Sequence, residues 1–206
     1  MSTEIEATEK ETRRYRKKQR AEQEAATRLR ITESAVTLHG TLGPAQTSIS
    51  AVAEHAGVRR STVYRHFPDE EALFGACSSH WVALNPPPDV AAWAAIADPD
   101  ERLRTALTEL YAYYGRTGGM LDRLLRDAPR VPLIQKLMSP FGQLLAEAAE
   151  VLMRGRGLRG RARQRARAAI GHALAFPTWQ QLTAEQGLDE EGAAELMARL
   201  VAAAAA

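Results

Sequence analysis

The sequence predicts an all-α protein, and three features carry that expectation. Apolar residues recur at spacings of three and four through most of the 206-residue chain, the mark of helices with one buried face. β-Branched residues are few, and no segment alternates for more than a few positions, so strand signals are almost missing. Most periodic segments open on a capping residue and close at glycine or proline.

Taken in order, a long first helix over about 8–39 buries Ile31, Ala35 and Leu38 and is expected to end at Gly40. Ser48 can cap a short helix bearing Ile49, Val52, Ala53 and Ala56, because its hydroxyl can accept from an open N–H of the first turn. Gly57 makes a turn, and a second short helix runs to Phe67. Asp69 can cap a fourth helix, where Glu70 and Glu71 suit the positive end of the dipole. Leu73, Phe74, Cys77 and Trp81 form its apolar face.

The prolines of Asn85–Asp89 cannot continue a helix and mark a boundary. Asp98 then caps a helix carrying Leu103, Leu107, Leu110, Tyr111 and Tyr114. Further helices are expected over Met120–Asp127, Val131–Arg154, Gly160–Gln186 and Asp189–Ala204, about nine in all, with the terminal alanines frayed. The domain reading is residues 1–30 as a basic N-terminal arm or extension of the first helix, 31–82 as a helix-turn-helix domain, and 89–206 as a second helical domain.

Charge is unevenly placed. Residues 1–67 hold 12 Lys/Arg against 8 Asp/Glu, whereas the remainder holds 15 against 17. Six of the cations lie in Glu11–Arg20, a solvated run that also matches the electrostatic footprint of nucleic-acid contact. A single cysteine rules out a disulfide framework and a cysteine-built zinc site. No apolar run reaches membrane-span length, and the polar N-terminus is unlike a signal peptide. A cytoplasmic location is expected.

Thr47–Phe74 raises the functional question. Two-turn helices do not persist alone in water, so both short helices need tertiary support. Ala53 lets the second helix approach, Gly57 permits the turn, and Val58, Val63 and Phe67 pack under Val52. This is helix-turn-helix spacing. The opposite face of the second helix holds Arg59, Arg60, Ser61, Thr62, Tyr64, Arg65 and His66. In such a motif that helix enters the major groove. Arginine suits guanine, serine and threonine suit several bases, and tyrosine or histidine can hold a phosphate.

GVRRSTVYRHFPDEEALF, Gly57 to Phe74, resembles the signature of TetR-family (TetR/AcrR-type) transcriptional regulators, and the likeness extends back to Ile31. FPTWQQLTAEQGLDEEGAAELMARL is similar to the last two helices of actinobacterial members. The resemblance implies a homodimeric, ligand-responsive regulator, a repressor released from a palindromic double-stranded DNA operator by a small molecule. It implies that Ser48 caps its helix and touches a phosphate, that Arg59, Arg60 and Ser61 lie nearest the bases, and that Tyr64 and His66 hold the backbone. Two positions depart from the pattern: Ser50 stands where many members have arginine, and Glu70 where a lysine is common. Arg13, Arg14 and Arg16 could compensate by reaching a minor groove.

In the second domain Gly171, Ala175, Thr178 and Leu182 form a small-residue strip, and Ala193, Met197 and Leu200 follow on the last helix. Together they are the candidate dimer interface. Pro140 and Pro177 interrupt helical stretches and free the carbonyls of Lys136 and Ala173. Tyr111, Tyr114, Met138, Phe141, His172, Phe176 and Trp179 are candidates to line an apolar ligand pocket beside them, or to fill an ordinary core.

Other signals are rejected. Gly155–Gly160 matches G-x-G-x-x-G but follows a helical segment, not a strand, so no dinucleotide is expected there. The arginines from Arg154 to Arg167 scatter over several helix faces and read either as solvated or as a secondary nucleic-acid or anionic-ligand surface. The five histidines show no metal spacing, with His39 and His55 expected at helix ends or on the surface. No nucleophile elbow appears. Neither cofactor, metal nor enzymatic activity is expected. The competing reading is an all-α protein-interaction or enzyme domain whose helix-turn-helix is vestigial, favoured by Ser50 and Glu70.

Overall fold

The computed structural model describes the backbone of residues 2–205 and the side chains of residues 13–205. Among them there are ten α-helices and no strand: α1 (Ser2–Thr41), α2 (Ile49–His55), α3 (Arg60–His66), α4 (Glu70–Leu84), α5 (Val90–Ala94), α6 (Pro99–Asp127), α7 (Pro132–Met153), α8 (Gly160–Leu174), α9 (Phe176–Gln180) and α10 (Glu190–Ala205). The chain divides into two compact units, Met1–Trp81 and Val82–Ala206.

In the first unit α1 supplies Ile31 and Ala35 to a core completed by Val52, Val63, Phe67 and Leu73, all nearly inaccessible to solvent. Gly40 does not end α1; the helix runs on to Thr41, and the chain turns at Gly43, whose φ of 97° lies in the left-handed region. His39, expected at a helix end or on the surface, lies in the last turn of α1 but is buried and stacks on Phe74 at 4.6 Å. Cys77 is buried beneath α1 with its Sγ 3.8 Å from the Thr32 carbonyl, and burial pushes its thiol up to about 12.

In the second unit α6 is the central element, packing against α5, α7, α8, α9 and α10. Two segments expected to be separate helices are joined in α6 across Gly115, Gly118 and Gly119. Close packing explains why glycine is used there at some helical cost: a Cβ on Gly118 would lie 2.8 Å from the Trp179 ring, and one on Gly115 would overlap the Glu190 carboxylate. The single helix expected over 160–186 is broken instead. Its chain turns extended at Ala175 (φ −73°, ψ 130°), and Pro177 sits in the first turn of α9, where its missing N–H costs nothing. A π-helical turn, Gln181–Glu185, follows. The terminal alanines stay helical to Ala205, and Arg165 donates to the Ala204 carbonyl.

Arg102 ties three helix ends together. It is buried and donates to the carbonyls of Ile96 and Ala97 after α5 and to those of Val151 and Arg154 at the end of α7, over 2.6–3.1 Å. A guanidinium suits this place because its fork satisfies several divergent acceptors at the negative end of a helix dipole. Arg102→Lys offers fewer, differently directed donors and should lower unfolding free energy by about 2–3 kcal/mol in urea titration.

Burial lowers the His39 pKa from 6.5 to about 4. The folded state therefore keeps this ring neutral where the unfolded chain binds a proton. Stability from this group is fully present above the unfolded value and is lost as pH falls from 6.5 toward 4. The slope is about 1.4 kcal/mol per pH unit at most. His39→Leu should flatten the pH dependence of the denaturation midpoint in that window.

Candidate nucleic-acid interface and aromatic cluster

The turn between α2 and α3 is built from the backbone upward. Ser48 accepts from the Ala51 N–H at 3.1 Å, opening α2. At its other end Val58 N–H donates to the Ala53 carbonyl and Gly57 N–H to that of Glu54, with Gly57 at φ 64°. This is a Schellman close, and it needs the left-handed residue. It sends the chain directly into α3, which Arg59 opens without a capping side chain.

The core takes only one side of α3: Val63 is buried, and so is Phe67 just beyond it. Arg59, Arg60, Ser61, Tyr64 and Arg65 are exposed, while Thr62 and His66 are half-buried. Arg60 donates to the Tyr64 hydroxyl at 3.2 Å, and its guanidinium lies 5.5 Å from the centre of the Tyr64 ring. The Tyr64 hydroxyl, through this bond first, raises the Arg60 pKa. This pair is fully hydrated on the outside of α3, so its mutual bond is easily exchanged for another acceptor.

His66 differs. Its Nε2 is buried and has no hydrogen-bond partner among the described residues. Its pKa is lowered, chiefly by burial and then by the neighbouring Arg65 and Arg28, with Glu24 acting the other way.

Sequence reasoning missed Arg28, and it put Arg65 on the exposed face without assigning it a role. Arg28 of α1 donates to the His66 carbonyl at 2.5 Å and lies 4.1 Å from the centre of the Phe67 ring. It closes the end of α3 by a hydrogen bond and a cation–π contact together. Arg65 and His66 line a groove of about 320 Å³ with Arg20, Gln23, Glu24 and Thr27 of α1. Arg28 bonds a residue 38 positions away in sequence, and Arg65 shares its groove with α1, relations that local spacing does not reveal. Arg13, Arg14 and Arg16 lie exposed on α1 itself, a continuous helix and not an extended arm. Of the two departures, Ser50 is exposed, and Glu70 sits in the first turn of α4. There Asp69 accepts from Ala72 N–H at 2.7 Å.

In the second unit the carbonyls left open by the α8–α9 break have found partners. Tyr111 donates to Ala173 at 3.0 Å and Tyr114 to Leu174 at 2.7 Å. Both rings are fully buried, and burial raises both phenol pKa values. These two candidate pocket residues are therefore committed to the core. Phe176 is also buried, 5.3 Å from both Tyr114 and Trp179. Met138, Phe141 and Trp179 pack at the edge of the core and are half-buried. Trp179 also borders an open cavity with Thr183, Leu188, Asp189, Glu190 and Glu191. Its Nε1 is buried without a hydrogen-bond partner among the described residues. His172 is exposed, with its Nδ1 3.3 Å from the Thr178 hydroxyl.

The candidate interface residues separate by exposure. Ala193 and Met197 are absorbed into the chain's own core, and Thr178 is buried. Ala175 and Leu182 are half-buried, while Gly171 and Leu200 are exposed. Leu196, not anticipated, is exposed one turn before Leu200.

Comparison with known proteins agrees with this geometry. Residues 31–77 match the family model for bacterial regulatory proteins of the tetR family. No curated protein matches the chain. A TetR-like transcriptional regulator from Rhodococcus sp. RHA1 superposes with a TM-score of 0.62 at 20% identity, over 86% of this chain and 94% of that one. A tetR-family transcriptional regulator from Streptomyces coelicolor gives 0.55 at 20% identity, over 87% and 79%. The helical architecture is thus that of TetR-type transcriptional regulators. More particularly, residues 31–77, which hold α2, the Gly57 turn and α3, are the part of the chain that is similar to the tetR family.

Gly118 is the tightest joint in the aromatic cluster. Gly118→Ala would place a methyl against the Trp179 ring, and displacement of that ring should cost about 1–3 kcal/mol of stability. Thermal denaturation followed by tryptophan fluorescence checks this.

Proposed function

We propose that this protein is a sequence-specific transcriptional regulator, a repressor that binds a palindromic DNA operator as a homodimer and is released by a small ligand. One observation carries the reading above others. The folding of α3 uses Val63 and the adjoining Phe67, leaving Arg59, Arg60, Ser61 and Tyr64 exposed on one short helix. In the proposed complex Arg59, Arg60, Ser61 and Thr62 meet base edges, and Ser48, Tyr64 and His66 meet phosphates. Arg60 leaves Tyr64 for a guanine edge, which frees the Tyr64 hydroxyl for the backbone. A cytoplasmic location follows from this role.

For the dimer, Leu196 and Leu200 on α10 and Gly171 on α8 are the exposed apolar and small positions, suited to helix-on-helix contact between copies. A twofold axis there matches a palindromic site. For the effector, the half-buried edge formed by Met138, Phe141 and Trp179 is the reading we favour. The unpaired indole N–H of Trp179 would reward a ligand that carries an acceptor. Release then requires the ligand to bind the DNA-competent and incompetent states unequally.

Selection from random duplexes at one fixed salt concentration tests the proposal. Wild type should yield a palindromic consensus. Arg60→Ala should blur one position of each half-site and cost about 1–3 kcal/mol, whereas Tyr64→Phe should weaken all sequences alike. Absence of enrichment would sink the reading and favour a helix-turn-helix kept for structural reasons only.

A further inference from the structure

We infer that residues 13–20 of α1 form a helical phosphate-binding blade that extends the DNA contact beyond the half-site read by α3. The inference rests on the DNA-binding reading above. Its observation is the register of α1. With 3.6 residues per turn, 18 residues make five turns, so Arg13 lies directly in line with Ile31, which is fixed in the core. Arg16, Lys17 and Arg20 fall within about 60° of that line, whereas Arg14 and Lys18 fall about 100° and 140° away.

The face of α1 so defined is the one that meets α3. Arg20, Glu24 and Thr27 line the shared groove with Arg65 and His66, and Arg28 reaches the His66 carbonyl. The cationic stripe is therefore a straight continuation of the face that holds the recognition helix. Arg13, Arg16, Lys17 and Arg20 are all exposed. Arg20 pairs with Glu24 at 3.2 Å. Arg13, Arg16 and Lys17 have no acidic partner among the described residues. Like charges at these spacings repel along a helix, so among the described residues the cations of this face outnumber the carboxylates that pair with them. The occupant that complements it is the phosphate backbone, which carries a charge every few ångströms over the stripe's length of about 10 Å. An extended arm seeking the minor groove would show no such dependence on helical register.

Two variants that remove the same charge separate these accounts: Arg13→Gln with Lys17→Gln on the stripe, and Arg14→Gln with Lys18→Gln off it. Binding of the full-length protein is measured by anisotropy across a salt series. One duplex is trimmed to the selected operator, and a second is extended by about one helical turn, 10 base pairs, at each end. The on-stripe variant should lose at least about fivefold in affinity on the long duplex, with its log–log salt slope shallower by up to about 2 per subunit. On the short duplex it should match wild type. The off-stripe variant should match wild type on both. Deleting Ala21 rotates the segment before it by about 100°, leaves only Arg16 of these cations within about 60° of the line, and should reproduce the on-stripe loss. Equal losses from both variants, or none from either, would overturn the blade and leave operator binding intact. A wild type that binds neither duplex would overturn both readings together.

Discussion

The first unit depends on one constraint: helices of two turns cannot hold themselves. α2 and α3 are seven residues each, far short of the length at which a helix persists in water. Everything that keeps them folded is tertiary. Val52 and Val63 meet Ile31 and Ala35 of α1 in one core, the Schellman close at Gly57 fixes the angle between them, and Arg28 secures the end of α3. Since the supports lie on one side of α3, the other side has no structural duty. Its arginines are thus held on a scaffold whose rigidity comes from residues that do not touch a ligand.

A parallel logic governs the second unit. A proline beyond a helix end leaves carbonyls without donors, and buried carbonyls must be satisfied. Here the tyrosines of α6 do so from across the core. Satisfying Ala173 and Leu174 fixes the direction in which α9 leaves α8, and that direction brings Phe176 and Trp179 against Tyr114. The glycines of α6 admit the Trp179 ring at a distance no alanine allows. The broken helix is therefore a designed joint, because its open groups have dedicated partners.

The helical class and the turn around Gly57 were legible because their signals are local: apolar period, caps and one glycine. The Ser48 cap and the burial of Val63 follow from the same rules. What was not legible depended on distant partners. His39 does sit in the last turn of α1, but its burial is not visible until Phe74 stacks on it. Gly115 and Gly118 look like a terminus until Glu190 and Trp179 are seen to occupy the space a side chain would need. Tyr111 and Tyr114 carry the pattern of pocket-lining aromatics, and only the three-dimensional path of α8 into α9 shows that their hydroxyls are already engaged. Ala193 and Met197 likewise share a helix with Leu196 and Leu200, but the face that meets α6 and α8 decides which pair is covered.

The same distinction bears on α1. A basic N-terminal run read from composition alone is a charge reservoir without direction, and six cations would attract DNA in any arrangement. Helical continuity from the core outward gives it direction. Ile31 and Ala35 lock the rotation of α1, and that rotation passes without interruption to Arg20 and on to Arg13. The phase of the cationic stripe is therefore inherited from core packing many residues away. A charge surface with inherited phase can be in register with the recognition helix, whereas a flexible arm must lose conformational entropy each time it docks.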